Sequence, residues 1–372
     1  MPRIRSTKNI CLECYGDLDA ERECLTCGKR ADDTPGLAHH LPKRAVLNGR
    51  YLIVRALGEG GFGITYLAWD LMKHRKCAVK EYYPAGFVSR IPKSCGLIVG
   101  DKQNLEACNR GLDRFIDEAK ALAQIKSLPG IVSVHDFFAA NGTAYIVTEF
   151  LDGISLKRYV QKKGGRISAD EALAILRPVM ESLEKVHNLS ILHRDISPDN
   201  ILITKYNQVK LIDFGAARLT GTDGTLPSVV LKQGFAPEEQ YRPGGEQGAW
   251  TDVYALGVTI YYCVTGKLPP ESTKRLEHDD LVRPSSLDAQ MKPAQEAALL
   301  KAVSVFAVHR YQDIRHMINE MYGIRTQKAP SPATVKKDDA PKSVDERKKE
   351  LAENRKIRKP REIKAKDEKG AD

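Results

Sequence analysis

Residues 191–203, ILHRDISPDNILI, gather one His, one Arg, two Asp and one Asn between an apolar pair and an apolar triplet. A polar loop between two buried segments would have this composition. So would a site in which Asp195 accepts or orients a hydroxyl proton while Asn200, five residues on, binds a divalent cation through its amide oxygen. The following run VKLIDFGAAR puts a second carboxylate, Asp213, at the end of an apolar strand and directly before Phe-Gly. Either feature alone is ordinary turn chemistry. Together, eighteen residues apart and flanked by strands, they suit Mg²⁺-assisted transfer of a phosphoryl group.

Such chemistry also needs groups that hold phosphates. GEGGFG places Gly58, Gly60 and Gly63 in a GxGxxG pattern, which also occurs in dinucleotide-binding folds, where it lies between a strand and a helix. Here the next segment, ITYLAWD, alternates like a strand, so the expectation is a glycine-rich hairpin with backbone N–H groups over phosphates. Seventeen residues after Gly63, CAVK ends in Lys80, which could hold the α- and β-phosphates if a carboxylate oriented it. Glu118, on the next predicted helix, is the candidate partner.

The elements that must position these groups follow from periodicity. YLIVRAL, ITYLAWD and KCAVKEY read as strands, GLDRFIDEAKALAQI as a helix, and VSVHDFF and TAYIVTEF as a hairpin about AANG. Beyond residue 155 the pattern turns helical. SADEALAILRPVMESLEKVH has a Ser N-cap with Glu three positions on, TDVYALGVTIYYCVTG ends in Gly, and AALLKAVSVF and YQDIRHMINEMYG are two further helices. A strand-rich half before a helical half predicts an α+β fold of two lobes with a cleft between them.

On these motifs, in this order, residues 48–323 resemble the protein kinase family, specifically the eukaryotic-like Ser/Thr kinases of bacteria. GEGGFG, Lys80, Glu118, HRDISPDN, DFG, GFAPEEQY, WTDVYALG and HRYQ carry the resemblance. It implies a two-lobed kinase fold, with an antiparallel sheet plus helix in the N-lobe and a helical C-lobe, and transfer of the ATP γ-phosphoryl to protein Ser or Thr hydroxyls. By the same resemblance Thr148 backs the adenine pocket, the backbones of Glu149 and Leu151 bond adenine, and Asp252 braces the catalytic loop. Glu238 or Glu239 pairs with Arg310; the Gln after Glu239 favours that register. Arg194, before the catalytic Asp, suits control by phosphate on the activation loop, where Thr220, Thr222, Thr225 and Ser228 are candidates. A pseudokinase scaffold and a small-molecule kinase are the competing readings. The complete set Lys80, Asp195, Asn200 and Asp213 opposes the first, and the GFAPEEQY segment with Asp252 and Arg310 opposes the second.

The chain departs from the family pattern in three places. Thr65 stands for the usual valine over adenine, a β-branched exchange that keeps shape. Residues 81–111 form an insertion of unassigned role. Ser197 replaces the usual lysine of the catalytic loop. Counting back from Glu239 puts Lys232 where the family has the threonine that contacts the catalytic Asp. The missing cation could return from there to Asp195 and the γ-phosphate; alternatively Lys232 points to solvent.

Cys11, Cys14, Cys24 and Cys27 form two C-x₂-C pairs separated by nine residues, a structural zinc pattern; disulfides are the alternative. A glycine directly after Cys27, and one residue further on after Cys14, would allow the tight turns. About thirty residues cannot build a hydrophobic core, so metal would supply the folding energy of a module over 1–30. Residues 31–47 read as a linker. The 324–372 tail lacks aromatics, and from 325 on it holds sixteen Lys/Arg against ten Asp/Glu, +6 of the net +10. It is expected to be disordered, as a solvated tail or a docking arm. Neither the module nor the tail interleaves aromatics with its charge, so nucleic acid is not an expected partner, whereas protein docking is. No run of about 18 apolar residues and no signal-peptide pattern appear, so a cytoplasmic protein is expected.

Overall fold

The computed structural model describes residues 7–100, 102–125, 127–214, 218–219 and 232–324. The expected tail and the four activation-loop hydroxyls lie outside these residues. Strands β1 (Val46–Leu47), β2 (Tyr51–Gly60), β3 (Gly63–Asp70), β4 (Arg75–Tyr82), β5 (Val88–Arg90) and β6 (Leu97–Val99) lead into helix α1 (Lys102–Gln124). Then come β7 (Val134–Ala140), β8 (Thr143–Glu149), β9 (Gly153–Ser155), α2 (Leu156–Lys162), α3 (Ala169–His187), β10 (Ile191–Leu192), β11 (Ile201–Thr204), β12 (Val209–Leu211) and β13 (Arg218–Leu219). The remainder is helical: α4 (Glu238–Tyr241), α5 (Ala249–Thr265), α6 (Ser272–Arg275), α7 (Pro293–Ala302) and α8 (Ile314–Met321).

The first lobe is an antiparallel sheet in the order β1-β2-β3-β4-β8-β7 with α1 against it. Its β7–β8 turn is Asn141–Gly142, both at positive φ (59° and 77°), the backbone a two-residue hairpin demands. Central β4 puts Lys80 opposite Thr65 of β3 and Ile146 of β8. The second lobe packs around α5, buried from Thr251 to Ile260 on all its faces, as an apolar helix without a polar stripe must be. Ser168 caps α3 by accepting from the Glu171 N–H at 3.2 Å, and Gly266 ends α5 at φ 72°, as the sequence predicts.

Helix α1 begins at Lys102, nine residues before the start expected from sequence, and so takes up the end of the insertion. Gly111 is the first residue of the expected helix. It lies inside the helix because a Cβ there would fall 2.0 Å from the Tyr82 hydroxyl: the glycine admits Tyr82 rather than ending the helix. The rest of the insertion is a β5–β6 hairpin tied to the sheet by the Leu97 N–H on the Asn141 carbonyl (2.9 Å). Of residues 31–47, expected to be a linker, 32–38 are exposed and 39–47 pack along the lobe. Leu41 is buried in its core, and Arg44 donates to the Thr7 and Ile10 carbonyls.

In the cysteine module the two knuckles are equivalent: the Tyr15 N–H bonds the Cys11 carbonyl as the Gly28 N–H bonds the Cys24 carbonyl, each at 2.9 Å. Gly28 takes φ 66° at this position; in the first knuckle the left-handed residue is Tyr15 (φ 67°), not Gly16. Gly16 serves close approach instead, since its Cβ would meet Thr26 Oγ1 at 2.4 Å. The strain at Tyr15, about 1 kcal/mol, is offset by its ring, which stacks on Trp69 of β3 at 3.9 Å.

In the second lobe Arg310 and Glu239 form a fully buried bidentate pair at 2.7 and 3.1 Å, which fixes the register in favour of Glu239. The Ser304, Val305 and Trp250 carbonyls take the other guanidinium hydrogens, and the Thr251 hydroxyl donates to Glu239. Removing one partner strands a buried charge. Arg310→Ala should therefore cost about 3–5 kcal/mol in denaturant unfolding, whereas Arg315→Ala, on an exposed pair with Glu184, should cost under about 1 kcal/mol.

Candidate active site

The catalytic-loop candidates are placed by one carboxylate on α5. Asp252 Oδ1 accepts the Arg194 N–H at 2.8 Å, and Oδ2 accepts the His193 N–H and His187 Nε2, each at 2.8 Å. Burial alone would lift its carboxyl, but these donors, His187 first, hold it below the ordinary range. Arg194 takes φ 67°, and the backbone there turns Asp195 toward the cleft. The His193 tautomer follows from its neighbours: Nε2 donates to the Ile212 carbonyl at 3.1 Å, and Nδ1 accepts the Asp195 N–H at 3.2 Å. Burial pushes its pKa down and keeps the ring neutral. Asn200 Nδ2 donates to both the backbone carbonyl and Oδ2 of Asp195, each at 2.8 Å, which leaves the Asn200 amide oxygen for a cation. The Ile212 N–H on the Asn200 carbonyl (2.8 Å) then carries the register to Asp213, held at φ 64°.

Lys80 reaches across the cleft to pair with Asp213. Burial works against its ammonium, but the Asp213 and Glu118 carboxylates more than offset this and hold its pKa up. The expected Lys80–Glu118 ion pair is not formed in this conformation. Glu118 is buried on α1, and desolvation pushes its carboxyl up to about 8, with Lys80 only partly opposing the rise.

The glycines divide by cause. A Cβ on Gly63 would lie 2.8 Å from the Glu81 carbonyl, so the β3–β4 approach excludes any other residue. At Gly58 and Gly60 a Cβ would meet nothing within 4 Å, so no protein atom demands glycine there. What remains is access to the backbone from outside, which a phosphate chain would use. At the back of the cleft the Thr148 hydroxyl donates to the Glu149 carbonyl at 3.3 Å. The Glu149 side chain is drawn away by Lys210 (2.5 Å) and the Ser133 N–H (2.8 Å), and Leu151 follows two residues on.

Ser197 is fully buried, and Lys232 Nζ donates to its hydroxyl at 2.8 Å while lying 3.3 Å from Asp199. The solvent-pointing alternative for Lys232 does not hold in this structure. Burial raises the Asp195 carboxyl, and the foremost charge opposing the rise is Lys232.

The four cysteine sulfurs lie within 4.8 Å of one another, with Cys11–Cys27 at 3.8 Å and Cys14–Cys24 at 3.3 Å. Tetrahedral bonds of about 2.3 Å would set sulfurs roughly 3.8 Å apart. The Thr26 and Cys27 N–H groups point at Cys24 Sγ, and they lower that thiol to about 6, favouring a thiolate. The donor set fits a four-thiolate metal. One cluster had no role in the sequence reading: Glu59, between two of the loop glycines, accepts from Nε2 of His39 (2.7 Å) and of His40 (2.9 Å). The only signal for it in the sequence was the His-His dipeptide itself.

Because Glu118 binds its proton more tightly folded than unfolded, the folded state holds more protons between the ordinary Glu range and about pH 8. Stability should fall as pH rises through that window. Glu118→Gln should remove this slope, unfolding above wild type by about 4 kcal/mol at pH 8 and matching it near pH 4.5. Denaturant unfolding at the two pH values measures both.

Residues 51–339 match the protein kinase domain family. Among curated relatives, the serine/threonine-protein kinase PrkC of Bacillus subtilis is 30% identical over 73% of this chain and 40% of its own length. Serine/threonine-protein kinase PknB of Mycolicibacterium smegmatis is 32% identical over 78% of this chain and 45% of its own. The chain thus spans under half the length of these relatives. Of solved structures, PpkA-294 in its apo form superposes with a TM-score of 0.67 at 32% identity, covering 76% of this chain and 99% of that one. The PknI kinase domain of Mycobacterium tuberculosis, 22% identical, shares the fold (TM-score 0.56, over 76% of this chain and 99% of that one). The family match spans both lobes and every element that positions the cleft, and the chain belongs to the protein kinase domain family.

Proposed function

We propose that this chain transfers the γ-phosphoryl of ATP to Ser or Thr hydroxyls of proteins. The observation that carries this is the convergence of Lys80, Asp195, Asn200 and Asp213 on one cleft through the contacts above. Mg²⁺ held by Asn200 and Asp213 would neutralise charge on the transferring phosphoryl group. Asp195, lifted by burial and steadied by Asn200, accepts the hydroxyl proton. Gly58 and Gly60 leave backbone that would be open to the phosphates, Lys80 would supply positive charge, and the Glu149 and Leu151 backbones would bond adenine in front of Thr148. With Asp213 holding a metal, Glu118 would be the carboxylate left to partner Lys80. The peptide substrate reading rests on the GFAPEEQY segment, anchored through Glu239 to Arg310.

Lys232 supplies the cation that Ser197 lacks. Lys232→Thr should lower kcat on the order of 10²-fold with ATP binding retained. The acid limb of the pH–rate profile should move to higher pH, because Asp195 loses its opposing charge. The double exchange Lys232→Thr with Ser197→Lys should recover much of the loss; a silent Lys232→Thr would remove Lys232 from the reaction.

The kinase domain spans residues 48–323, behind a zinc module over 1–30 and ahead of a basic tail that, like the module, offers a docking surface for a protein partner. A cytoplasmic location suits the buried thiols of Cys77, Cys108 and Cys263, and among the described residues no helix is long and apolar enough to cross a membrane. Metal analysis should find zinc on the purified chain. Its removal by chelator should free Tyr15 from Trp69 and change the tryptophan emission, while Cys14→Ser should give the same emission without chelator.

A further inference from the structure

We propose that His39, His40 and Glu59 form a second metal site, for one transition-metal dication of the zinc class, which pins the glycine-rich turn to the segment leaving the cysteine module. The three donor atoms lie within 4.8 Å of one another, and both imidazole Nε2 atoms already face one oxygen of Glu59, at 2.7 and 2.9 Å. An ion with bonds of about 2.0–2.1 Å fits among three such donors after small side-chain shifts, with water completing its shell. Two imidazoles and a carboxylate select zinc, cobalt or nickel over magnesium or calcium. With its proton on Nδ1, each imidazole presents the Nε2 lone pair to the ion.

The segment that carries both histidines is held from behind. Buried Arg90, paired with buried Glu81, donates Nε to the His39 carbonyl at 2.8 Å. The Leu41 N–H donates to the Tyr66 hydroxyl at 3.0 Å, and the His40 ring meets Tyr66 edge-on. On the other side, the Tyr83 and Ala85 N–H groups hold the Phe62 and Gly61 carbonyls at the tip of the turn, each at 3.0 Å. His39 and Glu59 keep 39% and 48% of their side-chain surface exposed, so an ion can reach them. With Glu59 ligated, the turn would lift less readily for nucleotide exchange, and turnover would fall several-fold. That consequence rests on the kinase reading; the metal binding does not.

The test is Co²⁺ titration of the full-length, metal-stripped chain, read in the visible and near-ultraviolet. The expected result is uptake of two equivalents, the first with thiolate-to-cobalt charge transfer from the cysteine module, the second with ligand-field bands alone. His39→Ala/His40→Ala and Glu59→Gln, on separate segments, should each stop at one equivalent with the charge-transfer band intact, which also reports that the module has folded. Wild-type uptake that ends at one equivalent, or variants that still take two, would overturn the site. A second equivalent that leaves kcat unchanged in a working kinase would overturn the effect on turnover while the site stands, and absence of any kinase activity would count against the functional reading alone.

Discussion

A single buried carboxylate sets the geometry of the cleft. Asp252 sits inside the second lobe, where an isolated charge would be far too costly to keep. It persists because three donors converge on it: the His187 ring and the backbone N–H groups of His193 and Arg194. Two of these donors belong to the catalytic loop, so satisfying the charge and shaping the loop are the same event. From there a series of short hydrogen bonds runs through the His193 ring to Asp195 and to Ile212, and from Asn200 to Ile212 again. Both cleft carboxylates, Asp195 and Asp213, therefore take their positions from α5 rather than from their own loops alone. The positive φ values at Arg194 and Asp213 are tolerated because this network over-determines them.

On the proposed reading, the serine in the catalytic loop changes which element carries positive charge, not whether charge is supplied. A lysine at position 197 would be fixed wherever the loop is fixed. Lys232 instead belongs to the segment that follows the activation loop, and it reaches the loop by bonding Ser197 and Asp199 from outside. On the proposed reading, charge balance at Asp195 becomes conditional on that segment being in place. Its far end is secured by the buried Arg310–Glu239 pair, whose guanidinium is otherwise fully engaged by carbonyls. Docking of the segment and completion of the site would then be a single step.

Features governed by local pattern could be read from the sequence alone. Alternation located β2, β3 and β4, the Asn-Gly turn located the β7–β8 hairpin, and Ser168 and Gly266 marked helix ends. The order of motifs placed the cleft residues, and the spacing from Glu239 pointed to Lys232. What could not be read depended on distant partners. Gly111 looks like a helix break until Tyr82 is seen lying against it. Tyr15 looks like a poor residue for a left-handed turn until Trp69 is placed beneath its ring. Residues 31–47 carry linker composition, yet Leu41 finds a place in the core and Arg44 finds carbonyls of the cysteine module. The pairing of Lys80 is a matter of conformation: two carboxylates compete for one ammonium, and sequence cannot rank Asp213 against Glu118.

These long-range contacts have a common location. The insertion after β4 bonds the tip of the glycine turn through Tyr83 and Ala85, and Arg90 within it holds the carbonyl of His39. The segment before β1 grips the same turn through His39 and His40 on Glu59. That segment is itself fastened to the cysteine module by Arg44, and the module to the sheet by Tyr15. A glycine-rich turn gains its use from mobility, because its backbone must close over phosphates and open again. Here its tip is restrained by the insertion after β4 and its one carboxylate by the segment before β1. Restraint at that point adds little to global stability, since Glu59 and His39 remain substantially exposed. Its leverage is on the turn, which the segment before β1 and the insertion reach from two sides.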